Sequence, residues 1–194
     1  GIDEDWIEKV AGGFYALAER HGVSLIGGDM SRGPLSVTVQ ILGTLPGELA
    51  LRRSGAKPGD AVYVSGSLGM ASLALAILKN QESAYRDAPP ECLERLRRPE
   101  PRVSTGLLLL PVASAAIDIS DGLAADLGHI LESSAAGAEI TLEDIPVCPE
   151  LASLGEDERW RHALGGGDDY ELCFTVASNR VHDLQQRLQG HDVP

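Results

Sequence analysis

The stretch from Ala115 to Leu131, AAIDISDGLAADLGHIL, sets the strongest limit on how this chain can fold. Its apolar beginning is typical of a short buried strand, which ends at two aspartates, Asp118 and Asp121. After Gly122, apolar residues recur three and four positions apart, and this spacing predicts an amphipathic helix. Carboxylates buried at such a junction are costly unless a cation or hydrogen-bond donors compensate them. The two aspartates are therefore the first candidate functional residues.

Helix and strand patterns follow one another elsewhere without strict alternation, which favours an α+β fold over a doubly wound one. The polar stretch RRSGAKPGD predicts a domain boundary, with residues 1–52 in a first domain and 53–194 in a second. Residues 80–101 predict a loop or short helices, and 105–110 a helical turn. Helices are predicted at 6–20, 67–78, 123–131 and after Ser178 as a cap, and strands at 24–29, 36–43, 61–66, 115–119, 138–147 and 171–177.

Charge and composition argue against several classes of protein. The 29 acidic and 16 basic residues give a net charge of -13, which repels nucleic acid and anionic membrane surfaces. The longest apolar run is far too short to span a bilayer, and no signal segment opens the chain. The three cysteines are far apart and show no metal-ligand spacing, as expected in a reducing compartment. These features predict a cytoplasmic protein without nucleic-acid or membrane partners.

Glycines lead into acidic residues at two further predicted strand ends, LIGGDMSRGP and LGGGDDYEL. Each can be explained as an ordinary turn, and Asp121 can be explained as a partner of the helix dipole with Ser120 as the cap. The alternative is that these acids supply oxygen ligands for Mg²⁺, with free backbone N–H groups nearby for a phosphate. The lysine-bearing phosphate loop GxxxxGK[ST] is missing, so carboxylates and metal ions would have to hold the phosphates.

Four motifs in chain order resemble those of thiamine-monophosphate kinases: LIGGDMSRGPLSVTVQILG, RSGAKPGDAVYVSGSLG, IDISDGLAADLGHI and GGGDDYELCFTV. That family belongs to the ATP-binding superfamily typified by aminoimidazole ribonucleotide synthetase. The resemblance extends over nearly the whole chain and implies a two-domain fold of mixed sheets packed with helices. It also implies a Mg²⁺-dependent reaction in which ATP phosphorylates thiamine monophosphate, giving thiamine diphosphate and ADP.

The resemblance further implies roles for particular residues. In the family, the aspartates of the GGD and DISDG motifs bind metal, while the serine of DISDG and the arginine before SGA contact ATP. The acidic residues of the last motif face thiamine monophosphate. Asp121 and Arg53 are expected to carry catalysis. The implied metal ligands are Asp29, Asp118 and Asp121, the nucleotide contacts are Gly28, Asp29, Arg53 and Ser120, and the substrate contacts are Asp168 and Asp169.

The chain departs from the family pattern in its last motif and at its ends. The family usually has Glu-Asp where this chain has Asp168-Asp169. Family segments with further metal-binding aspartates and with an aromatic substrate contact have no counterpart here. The first domain is therefore expected to be incomplete, and the second, an α/β sandwich, to be truncated at its end. The family also implies a homodimer that pairs strands such as 36–43. A sister ATP-dependent cyclo-ligase or maturation factor, or a non-catalytic fragment, remain alternative interpretations.

Overall fold

The computed structural model describes residues 3–45, 47, 49–79 and 89–189. The chain divides into two compact units, Gly1–Thr44 and Leu45–Pro194. No helix of the described residues is long and apolar enough to cross a membrane.

The first unit contains helix α1, Glu4–Arg20, which confirms the predicted helix. Asp3 caps it by accepting a hydrogen bond from the backbone N–H of Asp5 at 3.1 Å. No residue of α1 is buried, although its apolar residues have helical spacing. The strands predicted at 24–29 and 36–43 are wrong for this structure, because these residues lie outside any strand and no partner strand is described in this unit.

The second unit contains a three-stranded sheet of β1, Asp60–Val64, β2, Ala115–Asp118, and β3, Leu172–Ala177. The order is β1-β3-β2, with β3 antiparallel to both neighbours, so that Val62 and Ile117 lie opposite Thr175 and Cys173. All three strands were predicted from sequence. The mixture of helices with a small antiparallel sheet confirms the α+β class.

Helices cover the sheet of the second unit. The helices predicted at 67–78, 105–110, 123–131 and after Ser178 are confirmed. In the region 80–101, which was predicted to hold a loop or short helices, residues 90–97 form a short helix. Residues 80–88 lie outside the described part of the chain. The helices are α2, Met70–Lys79, α3, Pro90–Arg97, α4, Val103–Leu109, α5, Leu123–Ser134, α6, Glu156–Gly165, and α7, Val181–Leu188.

Two predicted details of the second unit are wrong. Residues 138–147 form no strand: Leu142–Asp144 form a 3₁₀ helix, because the Asp144 N–H bonds locally to the Thr141 carbonyl at 3.1 Å. Only Val147 makes an isolated parallel bridge, to Leu68. Ser178 does not cap α7, since Ser178–Arg180 form a 3₁₀ turn and α7 begins at Val181. The Ser178 hydroxyl instead donates to the Gly59 carbonyl at 3.3 Å.

Alternate residues of each strand pack into two separate hydrophobic clusters, one on each face of the sheet. On β3, Cys173 belongs to one cluster, while Phe174 and Val176 belong to the other. The first cluster includes buried residues of α2, α3, α5 and α6, and the second includes those of α4 and α7. Those helix residues are Leu73, Ala74, Cys92, Leu123, Leu127, Ile130 and Ala163 in the first cluster, and Leu109 and Leu184 in the second.

Candidate active site

The predicted acidic junction lies in the turn that connects β2 to α5. β2 ends at Asp118, and α5 begins at Leu123, after Gly122 with a φ of 107°. The side chains of Asp118 and Asp121 are exposed, so the expected burial of these carboxylates is wrong and the cost of burying charge does not arise. No hydrogen bond or ion pair joins either carboxylate to another described residue. Both are therefore open to an external cation.

Asp126, in the first turn of α5, holds the turn that precedes the helix. Its buried carboxylate accepts hydrogen bonds from the backbone N–H groups of Ser120 and Asp121, both at 2.9 Å. The Ser120 side chain makes no capping bond to α5. The N–H groups of Ser120 and Asp121 are therefore not free for a phosphate. Sequence reasoning missed Asp126 because an acid in the first turn of a helix usually faces solvent.

The GGGDDYEL loop runs beside this turn and is fixed to it through the backbone. The Ile119 N–H donates to the Glu171 carbonyl at 2.7 Å, and the Tyr170 N–H donates to the Ile119 carbonyl at 2.9 Å. The Asp168 N–H donates to the Ser120 carbonyl at 3.0 Å. Two of the predicted motifs thus form one surface, although about fifty residues of chain separate them.

Gly122 shows why glycine is needed where the two loops meet. A Cβ added there would lie 2.9 Å from the Leu164 carbonyl oxygen and 3.1 Å from that of Gly166. Its positive φ is also a conformation that other residues rarely adopt. Glycine therefore permits both the turn and the close approach of the two backbones.

Asp169 points into the protein and holds the start of α2. Its carboxylate accepts from the N–H groups of Gly69 at 2.8 Å and Ala71 at 3.4 Å, and only 1% of the residue is exposed. Burial raises the pKa of this carboxyl, although the two backbone donors oppose the shift. The N-terminus of α2, in the glycine-rich turn GSLGMAS, is therefore already occupied by a protein carboxylate.

Glu171 also points inward and is fully buried among basic and hydroxyl groups that the sequence reasoning missed. Arg102 donates to both of its oxygens, at 2.8 and 2.5 Å, and Arg95 forms a further ion pair with it. The Ser65 hydroxyl donates to it at 2.5 Å. This cluster fixes the beginning of β3 below the acidic surface.

Asp168 and Tyr170 have the opposite orientation and face outward. Both have left-handed backbone conformations, with φ of 67° and 50°, which are uncommon outside glycine. The Tyr170 hydroxyl donates to the Asp168 carboxylate at 3.3 Å. Desolvation and then the charge of Asp168 raise the pKa of this hydroxyl, and Asp118 and Asp121 add to the effect. All three carboxylates therefore lie close enough to Tyr170 to act on it electrostatically.

The remaining predicted site residues lie elsewhere. Arg53 is exposed, and its carbonyl accepts a hydrogen bond from Ser134 at 3.3 Å, at the C-terminal end of α5. Since α5 has 12 residues, this end lies about 18 Å along the helix from the acidic turn. Gly28 and Asp29 are exposed residues of the first unit. The structure thus brings together Asp118, Ser120, Asp121 and Asp168, but not Arg53.

The acidic surface can supply part of a magnesium site. Among the described residues, no group of three or more histidine, cysteine, aspartate or glutamate side chains is placed to hold a metal ion. Mg²⁺ is nevertheless usually bound by one or two carboxylates together with substrate phosphates, rather than by a complete protein cage. Asp118 and Asp121 fit that pattern, because both are exposed and neither forms an ion pair with another residue that the structure describes.

Next to this surface, a buried histidine links two helices. His162, at the end of α6, has its Nδ1 2.9 Å from the hydroxyl of Ser72 on α2. Burial lowers the pKa of the imidazole below its ordinary value of 6.5. The His162 carbonyl accepts from the N–H of Gly166 at 3.1 Å, so this pair lies immediately behind the GGGDDYEL loop.

A groove of about 550 Å³ lies away from these carboxylates, between β1 and residues 136–146. Its lining includes Val62, Val64, Leu123 and Ile145, and it contains none of the predicted site residues. The candidate chemistry therefore belongs to the exposed acidic surface and not to this groove.

Comparison with known proteins identifies relatives of both the sequence and the fold. A family model described as AIR synthase related protein, C-terminal domain, matches residues 57–193. Thiamine-monophosphate kinase of Escherichia coli is 47% identical over 100% of this chain and 60% of its own length. The crystal structure of thiamine-monophosphate kinase from Stenotrophomonas maltophilia superposes with a TM-score of 0.84 at 40% identity, over 100% of this chain and 63% of that one.

A further structure, AaThiL complexed with AMPPCP and TMP, has a TM-score of 0.58 at 34% identity and covers 67% of this chain and 43% of that one. These findings confirm the resemblance to thiamine-monophosphate kinases. The chain spans 54–60% of the length of the curated relatives from Salmonella typhimurium and Escherichia coli.

Proposed function

Because the chain belongs to the family of AIR synthase related proteins, we propose that it takes part in phosphoryl transfer from ATP to thiamine monophosphate. The products would be thiamine diphosphate and ADP, and the protein would act in the cytoplasm. The observation that carries the proposal is the single surface formed by Asp118, Asp121 and Asp168, which joins the two motifs that the sequence resemblance assigns to metal and to substrate. ATP as the donor is supported by the AMPPCP bound to AaThiL.

In this proposal each outward-facing group of the acidic surface has a separate role. Asp118 and Asp121 hold Mg²⁺, and Ser120 contacts the nucleotide beside them. Asp168 faces the phosphoryl acceptor, at the edge of the same surface. Mg²⁺, when bound, would neutralise part of the negative charge on the transferring phosphates. Asp169 is buried and hydrogen-bonded to α2, so it would affect substrate binding by fixing the position of the loop and not by direct contact.

The reaction would be a direct, in-line transfer without a covalent enzyme intermediate. The acceptor is itself a phosphate and is already ionised near neutral pH, so no strong general base is needed. Catalysis then depends mainly on positioning and on electrostatic stabilisation. Asp121 holds the metal, and the exposed Arg53 contacts the nucleotide from outside the acidic surface.

The first part of the chain would contribute to nucleotide binding and assembly. Residues 1–52 belong to an ATP-binding domain in which Gly28 and Asp29 contact nucleotide and metal, and residues 53–194 form the second domain. A homodimer would pair the 36–43 segments of two copies. Exposed apolar side chains support this pairing, since Val37, Val39 and Ile41 are 67%, 54% and 76% exposed.

The test is formation of thiamine diphosphate and ADP from thiamine monophosphate, ATP and Mg²⁺. Two proteins are compared: this chain, and a fusion that joins the flanking segments of the Escherichia coli relative to both of its ends. Turnover by the fusion, lost on omission of Mg²⁺ or thiamine monophosphate, is the expected result. A folded fusion that forms no thiamine diphosphate would overturn the proposal.

A further inference from the structure

The GGGDDYEL loop separates its side chains into two sets. Asp169 and Glu171 are 1% and 0% exposed, and their oxygens accept hydrogen bonds from α2 and from Arg95, Arg102 and Ser65. These two side chains cannot turn outward without leaving buried donors unpaired. The loop can therefore present only the alternate residues, Asp168 and Tyr170, to a ligand.

Tyr170 is fixed in place although its ring is accessible. Its N–H donates to the Ile119 carbonyl at 2.9 Å, which joins it to the DISDG turn, and its backbone is left-handed, with a φ of 50°. The residue is 39% exposed, and its hydroxyl donates to the Asp168 carboxylate at 3.3 Å. A left-handed conformation in a residue other than glycine persists only where surrounding contacts enforce it.

We propose that Tyr170 is the second substrate-contacting side chain of this loop and determines specificity for a cationic heteroaromatic acceptor. This inference rests on the proposed function, because thiamine monophosphate carries a positively charged thiazolium ring. An aromatic face attracts such a cation, and the neighbouring Asp168 carboxylate adds negative potential beside it. The hydroxyl, by holding Asp168, also orients the carboxylate that faces the acceptor.

The test uses steady-state kinetics of the fusion described above, with calorimetric binding of thiamine monophosphate in the absence of ATP. Tyr170→Leu removes the ring, and Tyr170→Asn removes it with a residue that tolerates the left-handed conformation. We expect both to raise KM and Kd for thiamine monophosphate about 10-fold while KM for ATP changes less than about twofold. Tyr170→Phe retains the ring and should raise KM and Kd for thiamine monophosphate less than the two ring-deleting variants do.

Tyr63→Phe is the matched control, because Tyr63 stacks on Phe174 in the core and lies outside this surface. It should leave both KM values unchanged. If the parent fusion turns over but neither ring-deleting variant raises KM for thiamine monophosphate selectively, the inference is wrong while the proposed function stands. If the parent fusion neither binds nor phosphorylates thiamine monophosphate, the proposed function fails and the inference fails with it.

Discussion

The first 44 residues and the rest of the chain have similar apolar patterns, but they differ in how far their apolar side chains are buried. In the first unit α1 has no buried residue, and Ile41 is 76% exposed. In the second unit, α5 has the same kind of spacing, and its Leu127 and Ile130 are 2% and 0% exposed. Periodicity therefore determines which face of an element is apolar, but burial depends on what that face can pack against.

The largest expected effect concerns the buried charge of the second unit. Glu171→Ala removes the carboxylate that Arg95 and Arg102 both contact, and should lower the free energy of unfolding by about 3–5 kcal/mol. Urea denaturation followed by circular dichroism measures this free energy of unfolding. Glu132→Ala, at an exposed position of α5, is the control and should change stability by less than about 0.5 kcal/mol. Equal effects of the two variants would contradict the assignment of Glu171 to the core.

A matched pair of isoleucines tests the comparison directly. Ile130→Ala should destabilise the second unit by about 2–5 kcal/mol, because it leaves a cavity in the core. Ile41→Ala, in the first unit, should change the unfolding free energy of the monomer by less than about 0.5 kcal/mol, since its side chain is exposed in the single chain. The same denaturation experiment measures both. A large loss for Ile41→Ala in the monomer would contradict the comparison, whereas a loss seen only at concentrations at which the protein dimerises would agree with the proposed pairing of the 36–43 segments.

Two glycines of the β2–α5 region should respond in opposite directions to alanine. Gly122→Ala forces a Cβ against the Leu164 carbonyl at a positive φ and should cost roughly 1–3 kcal/mol. Gly128→Ala lies in α5 with open space around its Cβ and should stabilise by about 0.5–1 kcal/mol. Thermal unfolding of both variants measures the difference. Stabilisation by Gly122→Ala would contradict the close approach of the two loops.

The smallest effect is a pH dependence carried by His162. Because burial lowers its pKa in the folded state, the unfolded state binds the proton more readily. Its contribution to stability is therefore complete above the ordinary pKa of 6.5 and is lost as the pH falls below that value. His162→Gln should flatten the decline of Tm between pH 7.5 and pH 5, relative to the parent, by removing this titration. His182→Gln, which removes an exposed imidazole of α7, is the control.

Local patterns predicted most elements of the second unit, but only the helix of the first. The strands at β1, β2 and β3 and the helix after Gly122 followed from periodicity, because each finds a partner within the unit. The segments 24–29 and 36–43 have equally clear patterns, but a strand requires a neighbouring strand to pair with. Sequence motifs can identify strand-forming segments without specifying that neighbour.

The candidate site was predicted at the level of motifs and not of individual side chains. Asp118, Asp121 and Asp168 lie on one surface, and their roles in binding metal and substrate stay predictions. The burial of Asp169 was missed because contacts between distant segments decide which side of the loop its carboxylate faces. The local contact of Asp126 with the turn before α5 was missed because the motif gives no sign of it. The exposed position of Tyr170 beside Asp168 was not predicted either.

The measurement that tests the central claim most directly compares Asp121→Asn with the parent in the fusion protein. Formation of thiamine diphosphate is followed together with the thermal unfolding midpoint. Asp121 is exposed and makes no described side-chain hydrogen bond, so the variant should lose transfer while its unfolding midpoint stays within about 2 °C of the parent. Turnover at the parental rate would contradict the proposed role of Asp121, and a variant that unfolds would assign Asp121 to the fold and not to the reaction.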